Sequence, residues 1–245
     1  KPPPPGKLTA QVGGAHAAGN TEMFSVNAGV NGSYEKNSNK FIGQAGALFG
    51  MAVSDANGDG VLDDAERDAG YVQNAQRVNA LVRYDRLIGG DGKNSFFVAA
   101  GYLHDRFTGI RHRPDQELGY HRDFVKNDTF TFAGELGLAA AEEFYYADIV
   151  APEDDFKFIF GAHLKLIFNV KFNDKVNFTD TISIFENFLD VPDLRIGNVA
   201  AFNASISQRF SVSLGHTLAW RNVPISEAYQ RLDSTTTVAL VVSIL

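Results

Sequence analysis

The sequence predicts an all-β chain, a transmembrane antiparallel up-and-down β-barrel of about twelve strands. Three observations carry this: hydrophobicity alternates with period two, turn signals recur about every twenty residues, and the connections alternate between short and long. In Phe130-Thr131-Phe132-Ala133-Gly134-Glu135-Leu136-Gly137-Leu138 the even positions are mostly large and apolar, and the odd ones are small or charged. Phe156, Phe158, Phe160, Ala162, Leu164, Leu166 and Phe168 repeat the pattern, opposite a face that carries Lys157, His163, Lys165, Asn169 and Lys171. Phe210, Val212, Leu214, Leu218 and Trp220 alternate with Ser211, Ser213, Gly215, Thr217 and Arg221, and the run Val238, Leu240, Val242, Ile244 continues to the end.

Turn residues divide the chain into expected strands at 7–18, 22–35, 40–54, 70–88, 95–110, 116–125, 129–146, 155–172, 176–189, 193–206, 209–221 and 232–245. The short links, Lys36-Asn37-Ser38-Asn39, Gly89 to Asn94, Lys126-Asn127-Asp128, Asn173-Asp174-Lys175 and Ser207-Gln208, all follow even strands. The longer ones, Asp55 to Asp68, Arg111 to Asp115, Ala147 to Asp154 and Asn222 to Arg231, all follow odd strands. That asymmetry predicts short periplasmic turns and longer outer loops in a bacterial outer membrane. Residues 1–6 form a Pro-rich N-terminal segment, and 7–245 form the barrel.

Composition agrees. Of 245 residues, 20 are Phe and 23 Gly, with 2 Met and no Cys, which suits strands and tight inner walls and excludes a disulfide framework. No apolar run reaches the length of a membrane helix. A net charge of −7 without a basic cluster argues against nucleic acid as a partner. The expected partners are outer-membrane lipid and lipopolysaccharide around the wall and small solutes or ions in the lumen, and the outward Phe-rich strands leave room for self-association.

The most specific motif is Asp55-Ala56-Asn57-Gly58-Asp59-Gly60-Val61-Leu62-Asp63-Asp64-Ala65-Glu66, which matches an EF-hand calcium loop at each defining position. Asp55, Asn57 and Asp59 would give side-chain oxygens, Val61 its carbonyl, Asp63 a direct or water-bridged contact, and Glu66 a bidentate carboxylate to Ca²⁺. Strands flank the loop instead of two long helices, so the expected role is to staple one outer loop and not to open a sensor.

The Gly19-Asn20-Thr21 turn, the Phe/Gly-rich alternation and the apolar final strand resemble the salt-induced outer-membrane protein family, YdiY-like, whose domain is of unknown function. The resemblance implies an outer-membrane barrel and carries no catalytic residue. The chain departs from the group in its inserted acidic loop and in ending on Leu245 where an aromatic is common.

Function is therefore expected to be that of a narrow porin-like channel or a structural surface barrel. A calcium-dependent lipid-modifying enzyme, of the outer-membrane phospholipase or lipid A deacylase outline, is the first alternative, and a soluble lipocalin-like binding barrel the second. Against the enzyme, Ser213 and His216 have opposite strand parity, and His163 is expected inward between Lys157 and Lys165. The inward set is Arg77, Arg83, Asp85, Glu117, His121, Asp123, Glu135, Lys157, His163, Lys165, Arg195 and Arg221. His104-Asp105-Arg106, Arg111-His112-Arg113 and His121-Arg122-Asp123 are expected near one outer connection, as a salt-linked rim.

Overall fold

A computed structural model describes residues 6–17, 22–56, 62–147, 154–226 and 230–244. Along it run β1 (Gly6–Ala17), β2 (Met23–Lys36), β3 (Asn39–Val53), α1 (Asp64–Ala69), β4 (Tyr71–Ile88), β5 (Asn94–Asp105), β6 (Ile110–Lys126) and β7 (Phe130–Tyr145). β8 (Phe156–Lys171), β9 (Val176–Asn187), β10 (Arg195–Ser205), β11 (Phe210–Arg221) and β12 (Leu232–Ser243) complete it. Each strand pairs antiparallel with its neighbours in sequence, and β12 pairs with β1 to close a barrel of twelve. Closure over Thr9–Gly13 of β1 and Ala239–Ser243 of β12 joins the two terminal strands, which would otherwise be the edges of an open sheet.

Burial is inverted relative to a water-soluble barrel. On β7, Leu136 is 62 % exposed while its neighbour Glu135 is 3 % exposed. Successive side chains point to opposite faces, so the oily face looks out and the carboxylate looks into the lumen. Phe156, Phe158 and Leu164 on β8 are exposed likewise. Facing glycines make room inside: Gly119 pairs with Gly137, and a Cβ on Gly119 would lie 2.8 Å from the Phe97 ring, which therefore lies flat on the inner wall.

Three of the short turns share one device. Asn127 Oδ1 accepts from the backbone N–H of Thr129 and Phe130, Asn173 Oδ1 from Lys175 and Val176, and Ser207 Oγ from Arg209 and Phe210. A side-chain oxygen two residues ahead replaces a ladder partner and fixes the reversal. At the β2–β3 turn, Asn37 takes φ 58°, a left-handed conformation that asparagine tolerates.

One expected loop is strand. Arg111 to Asp115 lies within β6, and the β5–β6 connection is a tight turn at Arg106–Thr108 followed by Gly109 at φ 80°. The Asp105 side chain accepts from the N–H of Phe107 and Thr108 and caps that turn. Pro114 reads as a breaker in sequence, but it pairs with Tyr102 of β5, and the β6–β7 pairing lapses between His112 and Asp115, where its missing N–H is accommodated. The expected common rim also divides. His104 and Arg111 to Arg113 sit at the end bearing the long connections, whereas His121-Arg122-Asp123 lies near the far end of β6.

Candidate functional site

The lumen holds two ion-pair clusters. Near the short-turn end, Arg83 of β4 donates to both Asp85 oxygens at 2.9 and 2.6 Å and to Glu135 Oε2 at 2.9 Å, with its guanidinium 3.9 Å from the Phe97 ring centre. Ser95 Oγ donates to Asp85 at 3.2 Å. His121 on β6 bridges Glu135 at 2.9 Å and Asp123 at 3.2 Å, and Lys126 reaches Asp123 at 2.9 Å. Lys165 of β8 meets Glu117 of β6 at 2.8 Å and Glu135 at 3.8 Å, and His163 Nδ1 is 3.1 Å from Glu117. Strands β4 and β7 are separated in the wall by β5 and β6, so the Arg83–Glu135 bond spans the inside of the barrel.

Near the long-connection end, Glu143 of β7 and Asp193 of the β9–β10 connection are both fully buried. Arg195 is the clamp between them: it donates to both Glu143 oxygens at 2.5 and 3.0 Å and to both Asp193 oxygens at 3.0 and 2.7 Å. Arg221 adds 2.9 and 3.1 Å bonds to Asp193, Lys157 lies 3.3 Å from it, and Tyr145 donates its hydroxyl to Glu143. Buried charges persist only when paired this fully, because isolated ones cost several kcal/mol each. Asp193 lies in a connection outside the strands; burial alone would raise its carboxyl, but the hydrogen bonds and charge of Arg195 and then Arg221 hold it well below the usual carboxylate range. These bonds, with that of Asp190 to Lys157, tie the 188–194 connection to β8, β10 and β11.

The opposite wall is different in kind. Over the middle of β10–β12 and β1–β3, inward positions include Asn203, Ser213, Thr217, Thr235, Thr237, Gln11, Asn27, Asn31 and Gln44, interspersed with Gly and Ala. Among the described residues, no charged side chain faces the lumen in that stretch. At the long-connection end a cavity of about 420 Å³ lies between the two walls, bounded by Arg113, Glu117 and Arg195 on one side and by Thr217 and Asp233 on the other. A second, of about 420 Å³, opens at the short-turn end among Asn169, Asn177, Asn203 and Ser211.

In the loop between β3 and β4, Asp55, Asp63 and Glu66 lie within the described residues, while Asn57, Asp59 and Val61 lie outside them. Glu66 is 7 % exposed; its two oxygens accept from the N–H of Ala56 at 2.7 Å and of Asp63 at 3.1 Å. Asp63 Oδ1 accepts in return from Glu66 N–H at 2.8 Å, a capping box that starts α1 where an EF-hand's exit helix begins. The carboxylate of Glu66 thus closes the neck of the loop.

A family model described as protein of unknown function DUF481 matches residues 10–244. The chain belongs to this family. Across 223 residues the chain is 24 % identical to the uncharacterized protein YdiY of Escherichia coli K12, covering 91 % of this chain and 77 % of that protein. Among solved structures the fold is similar to the NanC porin at 10 % identity, covering 98 % of this chain and all of that one, with a TM-score of 0.53. It is also similar to the COG4313 outer membrane channel from Pseudomonas putida F1 at 8 % identity, covering 100 % and 97 %, again with a TM-score of 0.53. At such identities the likeness shows the fold alone, a closed antiparallel β-barrel.

Within this DUF481 barrel the expected inward residues come together largely as their parity requires. Arg83, Asp85, Glu117, His121, Asp123, Glu135, His163 and Lys165 form the first cluster, and Lys157, Arg195 and Arg221 enter the second. Arg77 pairs with Asp105 at 3.7 Å. Glu143, Asp193 and Arg113 are the members that sequence reading missed. Glu143 shares the parity of Glu135 on β7 and was within reach of that argument. Asp193 was not, because a connection has no parity. Ser213 and His216 fall on opposite faces, Ser213 inward beside Ala239 and His216 outward against Thr236.

Proposed function

We propose that the chain is a narrow channel of the bacterial outer membrane, conducting small polar solutes or ions along the uncharged wall of its lumen. The observation that carries this reading is the asymmetry of the interior: paired charges fill one side, and hydroxyl, amide and glycine positions line the other beside an open cavity. The outward apolar wall contacts lipid, and the charged rim at the long-connection end faces lipopolysaccharide. The β3–β4 loop binds Ca²⁺ as a staple, with Asp55, Asn57, Asp59, the Val61 carbonyl, Asp63 and Glu66 as hard oxygen donors. What supports the staple is the closed neck, where Glu66 already ties Ala56 to Asp63. A site with a dissociation constant of about 10⁻⁴–10⁻³ M would fill outside the cell.

Planar-bilayer recording tests the channel: discrete conductance steps are expected, and silence at every voltage and salt concentration overturns it. Calorimetric Ca²⁺ titration tests the staple, with uptake expected to fall in Asp55→Asn; unchanged uptake counts against the loop.

A further inference from the structure

The hydrogen-bonded wall is incomplete at one seam. β1 and β12 share five register pairs, Thr9–Gly13 against Ala239–Ser243, below which Ile244 N–H donates to the Leu8 carbonyl at 2.8 Å. By contrast β1 makes twelve pairs with β2, and β12 makes eleven with β11. Extending the seam register sets Gly14, Ala15 and His16 opposite Val238, Thr237 and Thr236, yet among the described residues no pair joins them. Contact stops abruptly: a Cβ on Gly13 would lie 2.0 Å from the Val238 carbonyl oxygen, while a Cβ on Gly14 would meet only β2. Over Gly14–Ala17, about 13 Å of β1 at the rise of an extended chain, no described residue of β12 pairs with it. In hydrocarbon such an edge is costly, since each unpaired N–H or C=O goes unsatisfied.

A second observation lies beside the gap on the lipid-facing side. His216 Nδ1 of β11 is 2.8 Å from Thr236 Oγ1 of β12, and Asn198 of β10 donates to Asp180 of β9 at 2.6 Å. Asp180, Ala200, His216 and Thr236 occupy one register row that leads across the outer wall to the seam, flanked by Phe178, Ile182, Leu214 and Leu218. Imidazole and carboxylate groups on a sealed, lipid-facing wall are destabilising, the more so the nearer they lie to the membrane midplane. Both features become intelligible where water and polar groups reach the wall. On the inner side of the same segment, Thr217 and Asp233 border the cavity at the long-connection end.

We propose that the β1–β12 seam is a lateral portal through which a single-chain amphiphile with a small hydrogen-bonding head passes between lumen and bilayer. The tail stays against Val12, Val238 and Leu240 on the lipid side, all exposed. The head exchanges water for the hydroxyls of Ser234 and Thr236 and the imidazole of His216. This inference rests on the membrane-channel reading but concerns a different path, so each can fail alone.

The chain has no cysteine, which makes the test clean. Two double variants place cysteines across the seam: Gln11→Cys with Val241→Cys in the paired part, and Ala15→Cys with Thr237→Cys in the gap. Mild oxidation is expected to bridge the first pair and not the second, because a disulfide needs Cα atoms within about 7 Å. Bridging of both at equal rate overturns an open seam. In planar bilayers containing laurate, the gap variant is expected to show transient blockades that vanish, with open current intact, once a bis-maleimide spans the seam. Blockades that survive the staple, or that never occur in a conducting barrel, overturn the portal. If no current is seen, labelling in vesicles decides: bilayer-confined N-octadecylmaleimide is expected to label Thr237→Cys and not Ser213→Cys, and silence at both overturns the portal.

Discussion

The wall of β4–β9 and the wall of β10–β12 with β1–β3 obey the same outward rule and differ inside. The first uses its inward positions for charges that bond one another across the lumen; the second lines its middle with Gly, Ala, Ser, Thr, Asn and Gln, and contributes Arg195 and Arg221 to the charged cluster only at the long-connection end. A twelve-stranded barrel is wide enough that side chains from one wall need not fill it. On the proposed channel reading, rigidity and permeability fall to different parts of the lumen: the ion pairs brace the barrel, and the uncharged middle of the other wall carries the path. Substitutions of the paired charges should therefore cost stability before they change conductance, and those in the uncharged middle should do the reverse.

The largest effect is expected at Arg195. Arg195→Met leaves Glu143 and Asp193 buried without their shared clamp and should destabilise the barrel by about 3–5 kcal/mol, measured by urea unfolding in lipid. A loss below that of Glu135→Gln would show that Arg221 and Lys157 suffice. Glu135→Gln comes next, at about 1.5–3 kcal/mol, because Arg83 and His121 keep Asp85 and Asp123 as partners. Equal effects at the two sites would remove the distinction between a buried clamp and a shared network.

Glu66→Gln should leave global unfolding nearly unchanged and make the β3–β4 connection more sensitive to protease, since the neck bonds to Ala56 and Asp63 weaken. Acid supplies a further test. Asp193 has a depressed carboxyl, so its contribution is present above the unfolded carboxylate range and is lost only as pH falls through the lower folded value. Protection of the 188–194 connection should thus persist at pH values where ordinary carboxylates protonate, whereas Asp193→Asn should lose it even at neutral pH. Smallest of all, Ser213→Ala should change stability by no more than about 0.5 kcal/mol.

Strand order, face and most of the lumen charges were legible because period-two alternation fixes both existence and orientation of a strand. Leu136 beside Glu135 states the topology of the wall in two residues. Where alternation is interrupted, legibility ended: Pro114 concealed that β6 begins at Ile110, since only the neighbouring register shows a lapse in pairing that accommodates it. Asp193 could not be found from a connection, and the seam between β1 and β12 could not be found from either strand, because each is fully paired on its other side. Pairing across 230 residues of chain is a property of closure and leaves no local mark.

The account is tested most directly by single-channel conductance of Thr217→Trp beside Arg83→Lys in planar bilayers. Thr217 is an uncharged lumen position at the cavity, so its replacement by a large ring is expected to reduce unitary conductance severalfold, while Arg83→Lys leaves it near the parent value. Unchanged conductance in Thr217→Trp, or a larger loss in Arg83→Lys, would place the path along the charged wall and contradict the account.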